Sequence, residues 1–225
     1  MNYVNERTRG LQQGAIRAMF DKAATMEGVI SMGIGEPDLP TPIPICDAAT
    51  RAMNEGKTHY TPNAGIPELR EAISKYFKNE FSVNFRPDEI ITTMGGSEAI
   101  TIMFACILNP DDEVLMPEPY YTNYSTFIST SGGKIKPVTT GPDDGYNYAK
   151  EDLLEDAISD KTKAICIINP NNPTGYVLNK ESLEKIAEIA KKNDLLVISD
   201  ECYDEFNYDG KHISIAQLPG MKERT

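Results

Sequence analysis

The chain of 225 residues carries 22 Lys and Arg against 34 Asp and Glu, a formal net charge of −12, with 40% apolar and 25% charged residues. That balance argues against nucleic acid and anionic membrane as partners, because no basic patch interrupts it. No run reaches the roughly 18 apolar residues of a membrane span and the first twenty residues lack a signal-peptide core, so a cytoplasmic protein is expected.

From the amino terminus, the stretch before about residue 45 is marked by Gly33, Gly35, Pro37, Pro40, Pro42 and Pro44, which predict an extended segment crossing the surface. Pro67 suits the first turn of a helix that places Ile66, Leu69, Ile73, Tyr76 and Phe77 on one face. Ile90-Ile91-Thr92-Thr93 predicts a strand and Gly95-Gly96-Ser97 a turn. An amphipathic helix with Ile100, Met103, Phe104, Ile107 and Leu108 on its inner side follows. Further strands are predicted at Glu113–Met116, Lys134–Val138, Lys163–Ile168 and Leu195–Ser199, the last two suited to burial on both faces. Between those two, Asn179 caps a helix whose inner face is Leu183, Ile186, Ala187 and Ala190. The alternation implies an α/β fold with a mainly parallel, mixed sheet flanked by helices.

Cys46, Cys106, Cys166 and Cys202 form no CxxC pair and sit mostly in apolar runs, which predicts core thiols. His59 and His212 are too isolated to make a zinc site.

Three segments carry chemistry. Gly95-Gly96-Ser97 at a helix start can present backbone N–H groups and a hydroxyl to a phosphate, or can simply be a tight turn. Asn169-Pro170-Asn171-Asn172-Pro173-Thr174-Gly175 follows a strand as a stiff loop able to aim an amide, with an ordinary turn as the alternative. Asp200-Glu201 ends an apolar strand, where open α/β sheets bind ligands, and a capping or solvated acid is the other reading of Asp200.

Together with Gly33-x-Gly35-Glu36-Pro37-Asp38, Tyr60-Thr61-x-x-x-Gly65, Pro119-Tyr120-Tyr121 and Asp200-Glu201-x-Tyr203, these segments occur in an order that resembles the fold-type I aminotransferases dependent on pyridoxal 5′-phosphate (PLP). The resemblance spans residues 33 to 203. It implies that Gly95, Gly96 and Ser97 hold the PLP phosphate and that Tyr121 stacks on the pyridine ring. It implies that Asn172 and Tyr203 bond the phenolic oxygen and that Asp200 keeps the ring nitrogen protonated. The resemblance further implies that Gly35 lies beside the substrate carboxylate and that Tyr60 reaches the phosphate of a neighbouring subunit, and with it a homodimer. The implied division is an arm and small-domain segment, 1–45, before a PLP-binding large domain, 46–225, incomplete at its carboxyl end. The implied reaction moves an amino group between an amino acid and a 2-oxo acid.

One element of the family pattern is missing from these residues. The lysine that forms the Schiff base with PLP lies in a Ser-x-x-Lys motif beyond the Asp-x-x-Tyr strand, and no such motif follows Asp200. Lys222 has no flanking serine and reads as a solvated loop lysine. A catalytically deficient fragment of a parent aminotransferase is therefore expected. A PLP-dependent C–S β-lyase and a nonenzymatic truncated or split protein of the same fold remain alternatives.

Overall fold

Four short runs rich in Val, Ile and Leu become the sheet: β1 (Glu113–Glu118), β2 (Lys134–Thr139), β3 (Thr162–Ile168) and β4 (Leu196–Asp200). A computed structural model describes residues 3–11, 15–30, 32, 33, 35 and 37–225. The strands lie in the order β2-β1-β3-β4, and all three pairings are parallel. Parallel strands need long crossovers, and here helices make them.

Alternation along the strands divides the core into two layers. Val114, Met116, Ala164, Cys166 and Ile168 face a layer containing α5 (Gly96–Ile107) and α6 (Asn123–Thr130), with Phe104, Tyr124 and Ile128 fully buried there. Leu115, Ile165, Ile167 and Val197 face α7 (Glu151–Glu155) and α8 (Lys180–Lys192). The Asn179 side chain accepts from the Ser182 amide at the start of α8, and Leu183, Ile186, Ala187 and Ala190 are buried as their spacing predicts.

The chain divides into two compact units. The larger one holds residues 67–225 and the first eleven, including α1 (Glu6–Arg9) and α4 (Pro67–Phe81). The smaller one, 12–66, contains α2 (Ala15–Ala23) and α3 (Ile43–Asn54). The helices α1 and α2 correct the expectation of a purely extended first 45 residues: the Gly and Pro residues that suggested it cluster at 33–44, beyond both helices.

Two further expectations are corrected. Residues 90–93 join no ladder among the described residues, so they are not a strand. β-Branched sequence favours extension, but a strand exists only where a partner completes its hydrogen bonds. Of the cysteines, only Cys166 is buried; Cys46, Cys106 and Cys202 are exposed. Cys106 belongs to a helix that is apolar nearly all round yet buries one side, so an apolar neighbourhood in sequence did not mean burial, and Cys202 lies past the end of β4 among acidic residues.

Candidate functional site

Asp200 is the last residue of β4, at the carboxyl edge of a parallel sheet. Its Oδ2 accepts a hydrogen bond of 2.7 Å from the Tyr124 hydroxyl, and its Oδ1 accepts from the Cys202 amide at 3.2 Å. Tyr124 is fully buried in α6. Burial first, then Cys166 and Asp200, push its phenol far above the usual range, so it remains a donor. Burial likewise raises the Cys166 thiol on the neighbouring strand, with Asp200 adding to the effect and the Tyr124 bond opposing it. Asp200 thus stands at a half-buried strand end, oriented from below and from behind, with further lone pairs for a cationic N–H donor.

The loop after β3 is built to hold one amide outward. Asn169 is buried, and its Oδ1 accepts from the Leu178 amide at 2.9 Å. Asn171, also buried, accepts from the Thr174 amide at 3.2 Å and the Thr174 hydroxyl at 2.8 Å. Those two asparagines hold the loop shut on itself. Asn172 is left half-exposed, and its Nδ2 makes a long hydrogen bond of 3.4 Å to the Tyr203 hydroxyl oxygen. Since that oxygen accepts, the Tyr203 O–H is available to a ligand.

At the start of α5, Gly95 adopts φ 76° and ψ 172°, a conformation open essentially to glycine alone. It turns the chain so that the first amides of a 12-residue helix, from Gly96 and Ser97 on, point outward without an intrahelical acceptor. Glu98 takes the Met94 amide at 2.6 Å, closing the turn. Ser97 is exposed. Phe104 of the same helix packs in the layer that holds Tyr124, so the helix and Asp200 share one face of the sheet.

Tyr121 precedes α6 with its ring edge-on to Tyr124, centroids 6.5 Å apart, and its hydroxyl accepts from Asn123 Nδ2 at 2.6 Å. Asp200, Tyr203, Asn172, Tyr121 and the Gly95–Ser97 turn all belong to the larger unit. Gly35 and Tyr60 belong to the smaller one, where both are exposed; Glu36 of the first motif lies outside the described residues. Lys222 has its own partners, with Nζ 3.2 Å from Glu89 Oε2 and 5.5 Å from the centre of the Phe85 ring. No group of His, Cys, Asp and Glu suited to a metal ion occurs among the described residues. The sequence reading missed Tyr124, although its spacing three residues after Tyr121 at a helix start was a usable signal that the two rings meet.

A model of the aminotransferase class I and II family matches residues 27–225. The chain belongs to this family. A putative aminotransferase of Bacillus subtilis, YugH, is 46% identical over 225 residues, covering 100% of this chain and 58% of the relative. An aspartate aminotransferase of Pyrococcus abyssi is 45% identical over 212 residues, covering 93% of this chain and 54% of that protein. Among solved structures, the aspartate aminotransferase of Thermus thermophilus with maleate superposes with a TM-score of 0.94 at 38% identity, over 100% of this chain and 59% of that one. The chain therefore spans a little over half the length of these aminotransferases, and its parallel sheet flanked by helices is the architecture they share with it over that part. No described helix is long and apolar enough to cross a membrane.

Proposed function

We propose that this chain forms part of the cofactor site of a PLP-dependent aminotransferase that moves an amino group between an amino acid and a 2-oxo acid. The observation that carries the proposal is the strand-end carboxylate of Asp200, held at 2.7 Å by a buried tyrosine on an edge that also presents the paired Asn172 and Tyr203.

The donor set suits PLP. Asp200 matches a protonated pyridine nitrogen, the Tyr203 hydroxyl and Asn172 amide match a phenolate oxygen, and the α5 start with its Gly95 turn matches a phosphate dianion. PLP, when bound, supplies an electron sink that stabilises negative charge at the substrate Cα. The chain's residues bind and tune. Asp200 keeps a proton on the ring nitrogen, and Tyr124 keeps Asp200 aimed by donating to the oxygen on its buried side. Tyr203 donates to the phenolic oxygen, and Tyr121 offers an aromatic face for the ring. Gly35 flanks the substrate carboxylate and Tyr60 contacts phosphate across a homodimer. Residues 1–225 hold no Ser-x-x-Lys after Asp200 and Lys222 is tied to Glu89, so these residues bind PLP without a covalent link.

The test is titration of the 225-residue chain with PLP, followed by visible absorption, then borohydride reduction and peptide mapping. Saturable binding without a reduced lysine, weakened at least tenfold by Asp200→Asn, is the expected result. A stoichiometric adduct on one lysine, or binding indifferent to Asp200→Asn, overturns the reading.

A further inference from the structure

Neighbouring residues of an extended chain point to opposite faces, so Asp200, which ends β4, and Glu201, just past it, leave the sheet in opposite directions. Asp200 meets Tyr124. Glu201 turns toward the segment 212–217, where two side chains meet it, and Ser199 of β4 is a third partner. Ser199 Oγ donates to Oε1 at 2.7 Å, Ser214 Oγ donates to the same oxygen at 2.8 Å, and His212 Nε2 lies 3.2 Å from Oε2. The side chains of His212 and Glu201 are only 4% and 16% exposed. A carboxylate so withdrawn from water is costly unless donors fill its lone pairs, and here three do. Because a carboxylate only accepts, the ring presents Nε2–H to it, while Nδ1 has no partner among the described residues.

The far side of the cluster is fixed as well. The His212 ring stands edge-on to Phe81 at 5.9 Å. The Ser214 amide donates to Gln217 Oε1 at 2.9 Å, and Gln217 Nε2 donates to the Phe81 carbonyl at 2.5 Å. Glu201 is thereby anchored to the end of α4, a 15-residue helix.

We propose that Glu201 is a positioning residue: its buried brace of Ser199, Ser214 and His212 fixes the turn that aims Asp200 and Tyr203 at bound PLP. The proposal rests on the cofactor reading above. The mechanical link is short. The Cys202 amide bonds Asp200 Oδ1, and the Asp204 amide bonds the Glu201 carbonyl at 3.1 Å, so the peptide units that carry Glu201 also orient both ligand-facing side chains. Tyr203 is 37% exposed, and besides a long hydrogen bond from Asn172 and an edge contact with the Phe206 ring at 6.2 Å it depends on the turn for its direction.

The full 225-residue chain and its Glu201→Ala, Glu201→Gln and Asp200→Asn variants are compared by hydrogen–deuterium exchange, PLP titration and the visible circular dichroism of bound PLP. Glu201→Ala is expected to speed exchange at amides 202–204 about tenfold with β3 unchanged. It is also expected to weaken PLP binding about tenfold and diminish the dichroic band at saturation. Glu201→Gln keeps an oxygen for both serine hydroxyls and recovers most of the affinity. If Glu201→Ala does not fold, Ser199→Ala and Ser214→Ala, each removing one donor, show the same changes at about threefold. Unchanged exchange at 202–204 overturns the proposal with or without cofactor. A lower melting temperature with unaltered exchange and dichroism also overturns it, by making Glu201 merely structural. Binding unaffected by Asp200→Asn, or no binding at all, overturns the cofactor reading instead, and exchange then decides on the brace alone.

Discussion

Tyr124 and Tyr148 are both buried, at 0% and 2% exposure, yet their hydroxyls have opposite circumstances. The Tyr124 hydroxyl donates to a carboxylate at 2.7 Å. That of Tyr148 has no partner among the described residues, and the gap it lines with Asn171, Thr174 and Tyr176 has no room for a water molecule. Replacement by Phe keeps either ring and its packing, so only the oxygen is tested. A hydrogen bond to a charged group contributes about 1.5–3 kcal/mol, while a buried unsatisfied polar group costs about 1–3 kcal/mol. Tyr124→Phe should therefore destabilise by about 2 kcal/mol and Tyr148→Phe should stabilise by about 1 kcal/mol, a separation of about 3 kcal/mol. With a urea dependence of about 1–3 kcal/mol per molar, the midpoints should differ by at least about 1 M. Urea unfolding of the two variants beside the unaltered chain, followed by far-ultraviolet circular dichroism, measures this directly. Equal loss of stability in both variants would show that the partner of the oxygen does not decide the cost.

The Gly95→Ala variant meets no atom within 4 Å, so its cost is purely conformational. About 1–3 kcal/mol is expected, together with weakened inorganic phosphate and PLP binding by titration, and a full retention of phosphate affinity would contradict the role given to the α5 start. Tyr76, pushed up to about 12 by burial and then by Asp204 and Glu205, joins Tyr124 and Tyr148 in holding its proton more tightly when folded. Stability should be level in this respect below pH ~10 and fall above it, where only the unfolded chain gives up those protons. Each deeply buried phenol adds about 1.4 kcal/mol per pH unit, and the share of the tyrosinate absorbance that belongs to Tyr124 and Tyr148 should appear together with unfolding rather than before it. A thiol reagent should label Cys46 and Cys106 first. Cys202, an exposed residue, should lag because partial burial of its thiol, followed by Asp200, pushes that thiol up to about 12, and Cys166 should react only on unfolding. Rapid labelling of Cys202 at neutral pH would remove the carboxylate's influence from that account.

The strands β3 and β4 were legible because strands covered on both faces are written as unbroken apolar runs, and all four observed strands begin or end within two residues of expectation. The helix 180–192 announced itself through Asn179 and a clean apolar face. By contrast, α6 reads Asn-Tyr-Ser-Thr-Phe-Ile-Ser-Thr, a composition poor in helix formers. Its helicity comes from burying Tyr124 and Ile128, one turn apart, against the sheet, which no local signal records. The same gap hid the partner of Asp200. The acid was visible as a charge ending an apolar strand, whereas Tyr124 stands 76 positions away and meets it only through the fold. Asn169 and Asn171 show the converse: a rare string pointed to ligand contact, but two of its three asparagines spend their oxygens on the loop itself.

The ladder between β3 and β4 pairs Ile168 with Asp200 and continues one step further through the Asn169 amide to the Asp200 carbonyl at 2.9 Å. The two loops that carry Asn172 and Tyr203 therefore depart from adjacent rungs of one backbone lattice, and the lattice spacing of about 4.8 Å acts as the ruler between them. Apolar exchanges within either strand leave that ruler unchanged. Differences in what such a scaffold accommodates must then be written in the loops themselves, while the interval across which they face each other is inherited from the sheet.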